Sequence, residues 1–331
     1  HDIILFSSDK IHLEKMNLLN KVGKSFGMFS YFGFSRLFNQ SKCDVAFIPK
    51  ETTPFFVDKP VVITVFDLFF IKMYKKFKKQ IKFSGKLHYE LAKLISFKKA
   101  DILCAISESS RQDLIEFCGV SPEKIVVTPL AYDSTVFFPK SKEQTEVILK
   151  KYQIQLPYFI NISSLFWDPK NVMGVLRSFK ILTESGYQCE LIMAGKAGPS
   201  YKQMQEYIHK HKLRVKCLIS LKVEELALLL AGAKALVYPS FHEGFGLPII
   251  EAMAVGCPVI TSNISAMPET AGGAAHLVDP HQCEDIFEAL KRVMDNASFT
   301  EDLKKKGLQQ AKQFSWLKTA QKTLEALNLF L

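Results

Sequence analysis

The chain is 331 residues long, 48% hydrophobic and 23% charged, with a formal net charge of +10. That length has room for about two domains of ordinary size, and the apolar share suffices for a sizeable core. No apolar run approaches the roughly 20 residues that span a bilayer. The opening residues carry no signal-peptide pattern, and the seven cysteines are scattered without close pairing, which argues against a disulfide scaffold or a zinc site and reads as cytosolic thiols.

In chain order, residues 1–8 read as a strand that opens without an initiator Met. Residues 13–40 read as helical, with weak points at Gly23, Gly27 and Gly33. Residues 44–48 and 60–65 are apolar runs suited to buried strands. The second ends at Phe66-Asp67-Leu68, and the loops at that end of open α/β sheets carry function. Asp67 is the polar candidate there, either as a functional group or as a cap on the segment that follows.

Charge is concentrated next. Between Lys72 and Lys99 stand ten lysines and one acid, Glu90, interleaved with Phe77, Ile81, Phe83, Leu87, Leu91, Leu94 and Ile95. This basic amphipathic segment suits an anionic membrane surface; a solvated helical face is the alternative. No nucleic-acid-binding module accompanies it, so nucleic acid is not an expected partner.

Residues 100–107 form another expected strand, and Ser107 opens a well-capped helix. A strand at 125–129 leads through residues 130–139 to a polar linker at 140–146. The alternation then restarts. A strand at 158–164 ends at Ser164, and its loop closes on Lys170-Asn171 before a helix from Val172. A strand at 189–194 ends in Gly195-Lys196. A strand at 215–220 turns at Leu221 into a helix over 224–231. Lysines at such junctions suit phosphate neutralisation, and the alternation itself implies an α/β class. No strand opens into a Gly-x-Gly-x-x-Gly helix start, which argues against a dinucleotide-dependent oxidoreductase.

The most informative stretch is residues 235–262. Residues 235–238 are a short apolar strand. Gly244 and Gly246 allow close backbone approach, Pro248 suits the first helical positions, Gly256 stops the helix, and Val259-Ile260-Thr261 resumes the sheet. A helix N-terminus fed by a glycine loop cradles phosphate. Glu243 before the loop and Glu251 on the helix suit sugar hydroxyls. Together they suit a ligand with a diphosphate and two sugars, a nucleotide sugar. Residues 274–278 read as a strand ending in a turn at Asp279-Pro280, and the remainder reads as helical.

The run Glu243-Gly-Phe-Gly-Leu-Pro-Ile-Ile-Glu251 resembles the donor-site signature of retaining glycosyltransferase family 4, the glycosyl transferases group 1, and in particular its bacterial mannosyltransferase-like members. The resemblance spans nearly the whole chain and is strongest over 158–316. It implies an α/β GT-B fold with two Rossmann-like domains facing a cleft. Residues 1–140 would be an acceptor-side domain that lacks its first βα unit. Residues 141–315 would bind the nucleotide sugar, and residues 316–331 would form a helix packing back on the first domain.

The implied function is transfer of a mannose- or glucose-type hexose, with retention, from a GDP- or UDP-linked donor to a hydroxyl of a glycan or lipid-linked acceptor, as in polysaccharide biosynthesis. Glu243, Asp67 and Lys170 are the implied catalytic residues. Ser164, Lys170, Gly195, Lys196, Leu221, His242, Glu243, Gly244, Phe245, Gly246, Leu247 and Glu251 are the implied donor contacts. No cofactor is expected, and no Asp-x-Asp stands near the donor loop, so metal independence is expected too. The chain departs from the pattern at Phe66, where relatives often carry His, and at Ser164, where some carry Arg. A non-catalytic sugar-nucleotide or glycan-binding protein and a sugar-nucleotide epimerase are the alternatives. A cytoplasmic location is expected, at the inner membrane face if the Lys72–Lys99 segment docks there.

Overall fold

In the computed structural model, the described residues are 4–7, 19–22, 35–36, 38–53, 56–69, 93–155, 157–163, 168–198 and 201–331. The chain divides into two compact units, His1–Thr128 with Ala320–Leu331, and Pro129–Thr319.

Among the described residues, the first unit holds two parallel sheets. Strands β1 (Ile4–Ser7) and β2 (Leu19–Val22) pair with each other. The second strand corrects the helical reading of residues 13–40 at Leu19–Val22, whereas residues 35–36 and 38–40 are helical as expected. Parallel pairing with β1 supplies its backbone hydrogen bonds, and tertiary context of this kind overrides local propensity. The larger sheet runs β3 (Ala46–Ile48), β4 (Val61–Val65), β5 (Ile102–Ala105) and β6 (Ile125–Val127), in that order. Its central strands are apolar because both faces are covered. One layer contains Ile63, Leu103 and Leu114, the last on α1 (Glu108–Cys118). The other joins Val62, Ile102 and Cys104 to Ala326, with Leu327 and Phe330 against it at the C-terminus. Ser107 caps α1: its hydroxyl accepts from Ser110 N at 2.9 Å, and Gly119 closes the helix in the left-handed conformation at φ +66°.

Among the described residues, the strands of the second unit form one six-stranded parallel sheet with helices packed on it. Its strands are β7 (Tyr158–Ile162), β8 (Glu190–Gly195), β9 (Val215–Ile219), β10 (Ala235–Tyr238), β11 (Val259–Ser262) and β12 (His276–Val278). The spatial order is β12-β11-β10-β7-β8-β9. The chain therefore builds outward from β7 to one edge, returns to β10 beside β7, and builds to the other edge. The β7/β10 boundary is a topological switch point, where ligands of open α/β sheets bind beyond the strand carboxyl ends. Successive strand residues serve opposite layers. Phe159 packs with Val175, Leu176 and Phe179 of α3 (Val172–Glu184), following α2 (Lys142–Lys151) in the chain. Ile160 packs instead with Met253 and its neighbours in the opposite layer.

Polar groups extend the switch point past the ladder. Asn161 is fully buried, and its Nδ2 donates to Val237 O across the β7/β10 boundary at 2.7 Å. Asn171, at φ +52°, is buried too, and its Nδ2 donates to the carbonyl of buried Pro280 at 2.7 Å. This bond ties the loop after β7 to the loop after β12. Asn171→Ala removes the donor and leaves a non-glycine residue without a polar side chain in the left-handed region. It is expected to lower unfolding free energy by roughly 2–4 kcal/mol, read as a lower urea midpoint at unchanged slope.

Candidate functional site

Strand β10 delivers the chain to the switch point as four buried residues. The loop over 239–246 then feeds helix α6 (Leu247–Ala254), the third helix after α3 following α4 (Tyr201–Lys210) and α5 (Val223–Gly232). Gly246 is the N-cap at φ +98°, and a Cβ there would stand 3.0 Å from Ile249 Cδ1. Only glycine enters this turn without strain. Pro248 has no N–H, and Ile249 N closes back on Gly246 O at 2.9 Å. The N–H groups of Gly246 and Leu247 are thus the donors at the positive end of the helix.

Neighbouring segments clamp the loop. Phe245 is buried edge-on to Phe314, with ring centroids 5.5 Å apart. Thr270 Oγ1 donates to Phe245 O at 2.6 Å. The Ser265 hydroxyl donates to Glu243 O at 2.8 Å, accepts from Glu243 N at 3.2 Å, and lies 3.2 Å from His242 Nδ1. Phe241 N donates to Pro169 O at 2.7 Å, and the Phe241 ring stacks on His281 at 4.8 Å. The loops after β7, β10 and β12 are therefore interlaced on one edge of the sheet.

That interlacing brings Lys170 to Glu243. The Lys170 ammonium lies 2.7 Å from each oxygen of the Glu243 carboxylate. Tyr238 OH donates to Glu243 Oε1 at 2.6 Å. The Glu243 side chain is 11% exposed and that of Lys170 25%. A carboxylate this buried needs both an opposite charge and a hydrogen-bond donor. Burial, followed by the charge of Glu243, drives the Tyr238 phenol well above the ordinary tyrosine range, so it remains protonated and donates. Glu251, the other acid of the pair, is partly buried on α6, and its carboxylate has no hydrogen bond or ion pair among the described residues. Desolvation pushes its carboxyl up to about 7.

The remaining expected residues lie elsewhere. Gly195 and exposed Lys196 stand at the end of β8, and Leu221 follows β9, one and two strands beyond β7. They are not part of the Lys170–Glu243–Tyr238 cluster. Ser164 lies outside the described residues. Asp67 belongs to the first unit, where its Oδ1 accepts from Phe69 N at 3.1 Å. Glu51 Oε1 accepts from both Phe66 N and Asp67 N at 3.1 Å. Its second oxygen pairs with buried Lys93 at 2.6 Å. Lys93 thus serves an internal ion pair, which takes it out of the expected membrane-facing lysines. Of the rest of that segment, Lys98 and Lys99 are exposed, and the lysines from Lys72 to Lys86 lie outside the described residues.

Sequence reasoning passed over Tyr238, Ser265, Thr270 and Glu51. Each acts on a residue that the motif does contain. No spacing rule announces a strand tyrosine whose hydroxyl reaches a glutamate five residues on, although a tyrosine in an otherwise aliphatic strand signals a buried hydroxyl that needs a partner.

Two family models cover most of the chain. "Glycosyl transferases group 1" matches residues 144–310, and "Glycosyltransferase Family 4" matches residues 9–136. The chain belongs to the glycosyl transferases group 1 family. A curated relative of this group 1 member is the O-antigen chain mannosyltransferase B of Escherichia coli. It is 32% identical over 237 residues, which cover 71% of this chain and 62% of that one. The chain thus spans less than two thirds of that relative's length. Among solved structures, a glycosyltransferase from Rickettsia africae ESF-5 superposes with a TM-score of 0.77 at 18% identity, covering 98% of this chain and 89% of the other. HepE of Anabaena, in complex with UDP and glucose, superposes with a TM-score of 0.76 at 18% identity, covering 94% and 86%. These likenesses identify the fold as GT-B, as expected from the sequence.

The raised Glu251 carboxyl makes stability depend on pH. Its folded value of about 7 lies above the ordinary glutamate range near 4.5. Between these two values the folded chain keeps a proton that the unfolded chain has lost, so stability is fully present below the window and falls as pH rises through it. Glu251→Gln removes that dependence. The variant is expected to match wild type at about pH 4.5 and to exceed it by roughly 1–3 kcal/mol at about pH 8, measured from urea midpoints at both pH values.

Proposed function

We propose that this chain is a glycosyltransferase that moves a hexose from a nucleoside diphosphate sugar to a hydroxyl of a glycan or lipid-linked acceptor. The observation that carries this reading is the Lys170–Glu243 ion pair at the β7/β10 switch point, beside the glycine-loop helix start. It sets one cation and one hydroxyl acceptor where a diphosphate and its sugar would meet.

In this reading the donor diphosphate lies against the N–H groups of Gly246 and Leu247 and competes with Glu243 for the Lys170 ammonium. Lys196 supplies further positive charge, and Gly195 and Leu221 line the nucleotide end. Glu251 accepts from the ribose hydroxyls. Glu243, with part of its charge released, accepts from the donor sugar, and the backbone of His242, Gly244 and Phe245 shapes the wall. Asp67 is the candidate polar group of the first unit, toward the acceptor.

As the bond from the anomeric carbon to the diphosphate breaks, negative charge grows on the leaving oxygen. Lys170 and the helix N-terminus stabilise that charge. The acceptor oxygen bonds to the anomeric carbon on the same face, and its proton passes to the leaving phosphate oxygen, which gives retention. Catalysis is then mainly positioning and charge stabilisation.

The O-antigen relative supports mannose as the sugar and a polysaccharide precursor as the acceptor. No helix among the described residues is long and apolar enough to cross a membrane. Attachment to an anionic surface, on the cytoplasmic face, would fall to the lysines from Lys72 onward other than Lys93.

Calorimetry with GDP-, UDP- and ADP-sugars tests the reading. Saturable binding of one donor is expected. Glu251→Ala and Lys170→Met should each weaken it about tenfold or more, the worth of a hydrogen bond to a charged group. Failure of every donor to bind sinks the proposal. Binding without transfer to any glycan or lipid-linked acceptor would instead favour a non-catalytic sugar-nucleotide protein, a reading to which Phe66 lends support.

A further inference from the structure

Tyr238 has no part in the roles assigned above, yet it is bound to their central residue. It ends β10, is 4% exposed, and its ring packs in the same core layer as Ile160 and Leu236. A tyrosine so placed must satisfy its hydroxyl internally. The acceptor is Glu243 Oε1 at 2.6 Å, a short, charge-assisted bond. Glu251 adds a second negative charge that disfavours ionisation of the phenol.

The two partners of Glu243 differ in kind. Lys170 sits at the end of a short helical turn, Asp168–Lys170, on a flexible four-carbon stem that is a quarter exposed, and any phosphate entering the site competes for it. Tyr238 is fixed in a buried strand, and phosphate does not attract a phenol as it attracts an ammonium. Loss of the lysine would leave the carboxylate held by Tyr238 alone.

We propose that Tyr238 is a positioning residue: its phenol holds Oε1 of Glu243 while Lys170 is drawn to the diphosphate, so that Oε2 faces the donor sugar. This rests on the transferase reading. It accounts for a tyrosine at the end of an otherwise aliphatic strand, and it predicts a functional cost that leaves diphosphate binding intact.

The test uses the full chain as Y238F, E243Q and the double variant, with kcat, KM and calorimetric affinities for the sugar donor and for the matching nucleoside diphosphate. Y238F keeps the ring and loses only the donor. Affinity for the nucleoside diphosphate is expected to stay within about threefold of wild type. kcat should fall about tenfold or more, the worth of one charge-assisted hydrogen bond. Adding Y238F to E243Q should cost little further, since both act on one interaction. A merely structural tyrosine would lower the urea midpoint and leave kcat in place.

Unchanged kcat in Y238F, or losses that add in the double variant, overturns the proposal. A wild type that binds no nucleotide sugar overturns the transferase reading instead. The positioning role of Tyr238, which needs a bound donor sugar, falls with it.

Discussion

The candidate site depends on one partly buried carboxylate that must not be left alone. Glu243 lies where the loop after β10 turns toward α6, and removing a charge from water costs several kcal/mol unless it is paired and hydrogen-bonded. Lys170 supplies the charge and Tyr238 the neutral donor. These two come from different strands and loops, so the pairing can form only if β7 and β10 are neighbours. The strand order that makes them neighbours is therefore also the order that builds the site.

The same constraint explains the hydrogen bonds around it. A loop that carries a glycine N-cap and a paired acid cannot be left to wander, and several of its backbone groups near the acid are met by a side chain or backbone group. Ser265 holds Glu243 from the backbone side, Thr270 holds Phe245, and Pro169 O holds Phe241 N. Asn161 and Asn171 extend the clamp across the strand ends. Such cross-links let a loop hold a catalytic geometry that loops alone hold poorly. Glu251 is the exception. Its carboxylate is largely desolvated and has no partner among the described residues, a cost of the kind that proteins retain at functional sites.

The first unit repeats the logic on a smaller scale. There a buried Lys93–Glu51 pair presents one carboxylate oxygen to two successive backbone N–H groups at Phe66 and Asp67. A lysine that reads as one of many in a basic run is thus spent inside the fold, and a glutamate in an unremarked loop sets the turn that carries Asp67.

Much was legible in the residues alone. Apolar runs separated by helical segments specified parallel sheets, because strands buried on both faces have no polar side to show. The glycine, proline and acid spacing over 243–251 located the helix start and its two carboxylates, since each residue type there answers a local backbone requirement: Gly246 a positive φ, Pro248 a missing N–H. What the residues could not announce were contacts between positions far apart in the chain. The strand at Leu19–Val22 exists because β1 offers it a partner. Lys93 is buried because Glu51 is opposite it. Lys170 meets Glu243 across 73 residues, and the Tyr238 phenol turns toward that carboxylate rather than solvent because the core closes over its ring. Local backbone chemistry is written residue by residue, whereas the pairing of buried charges is decided by which strands lie side by side, and only the folded chain determines that.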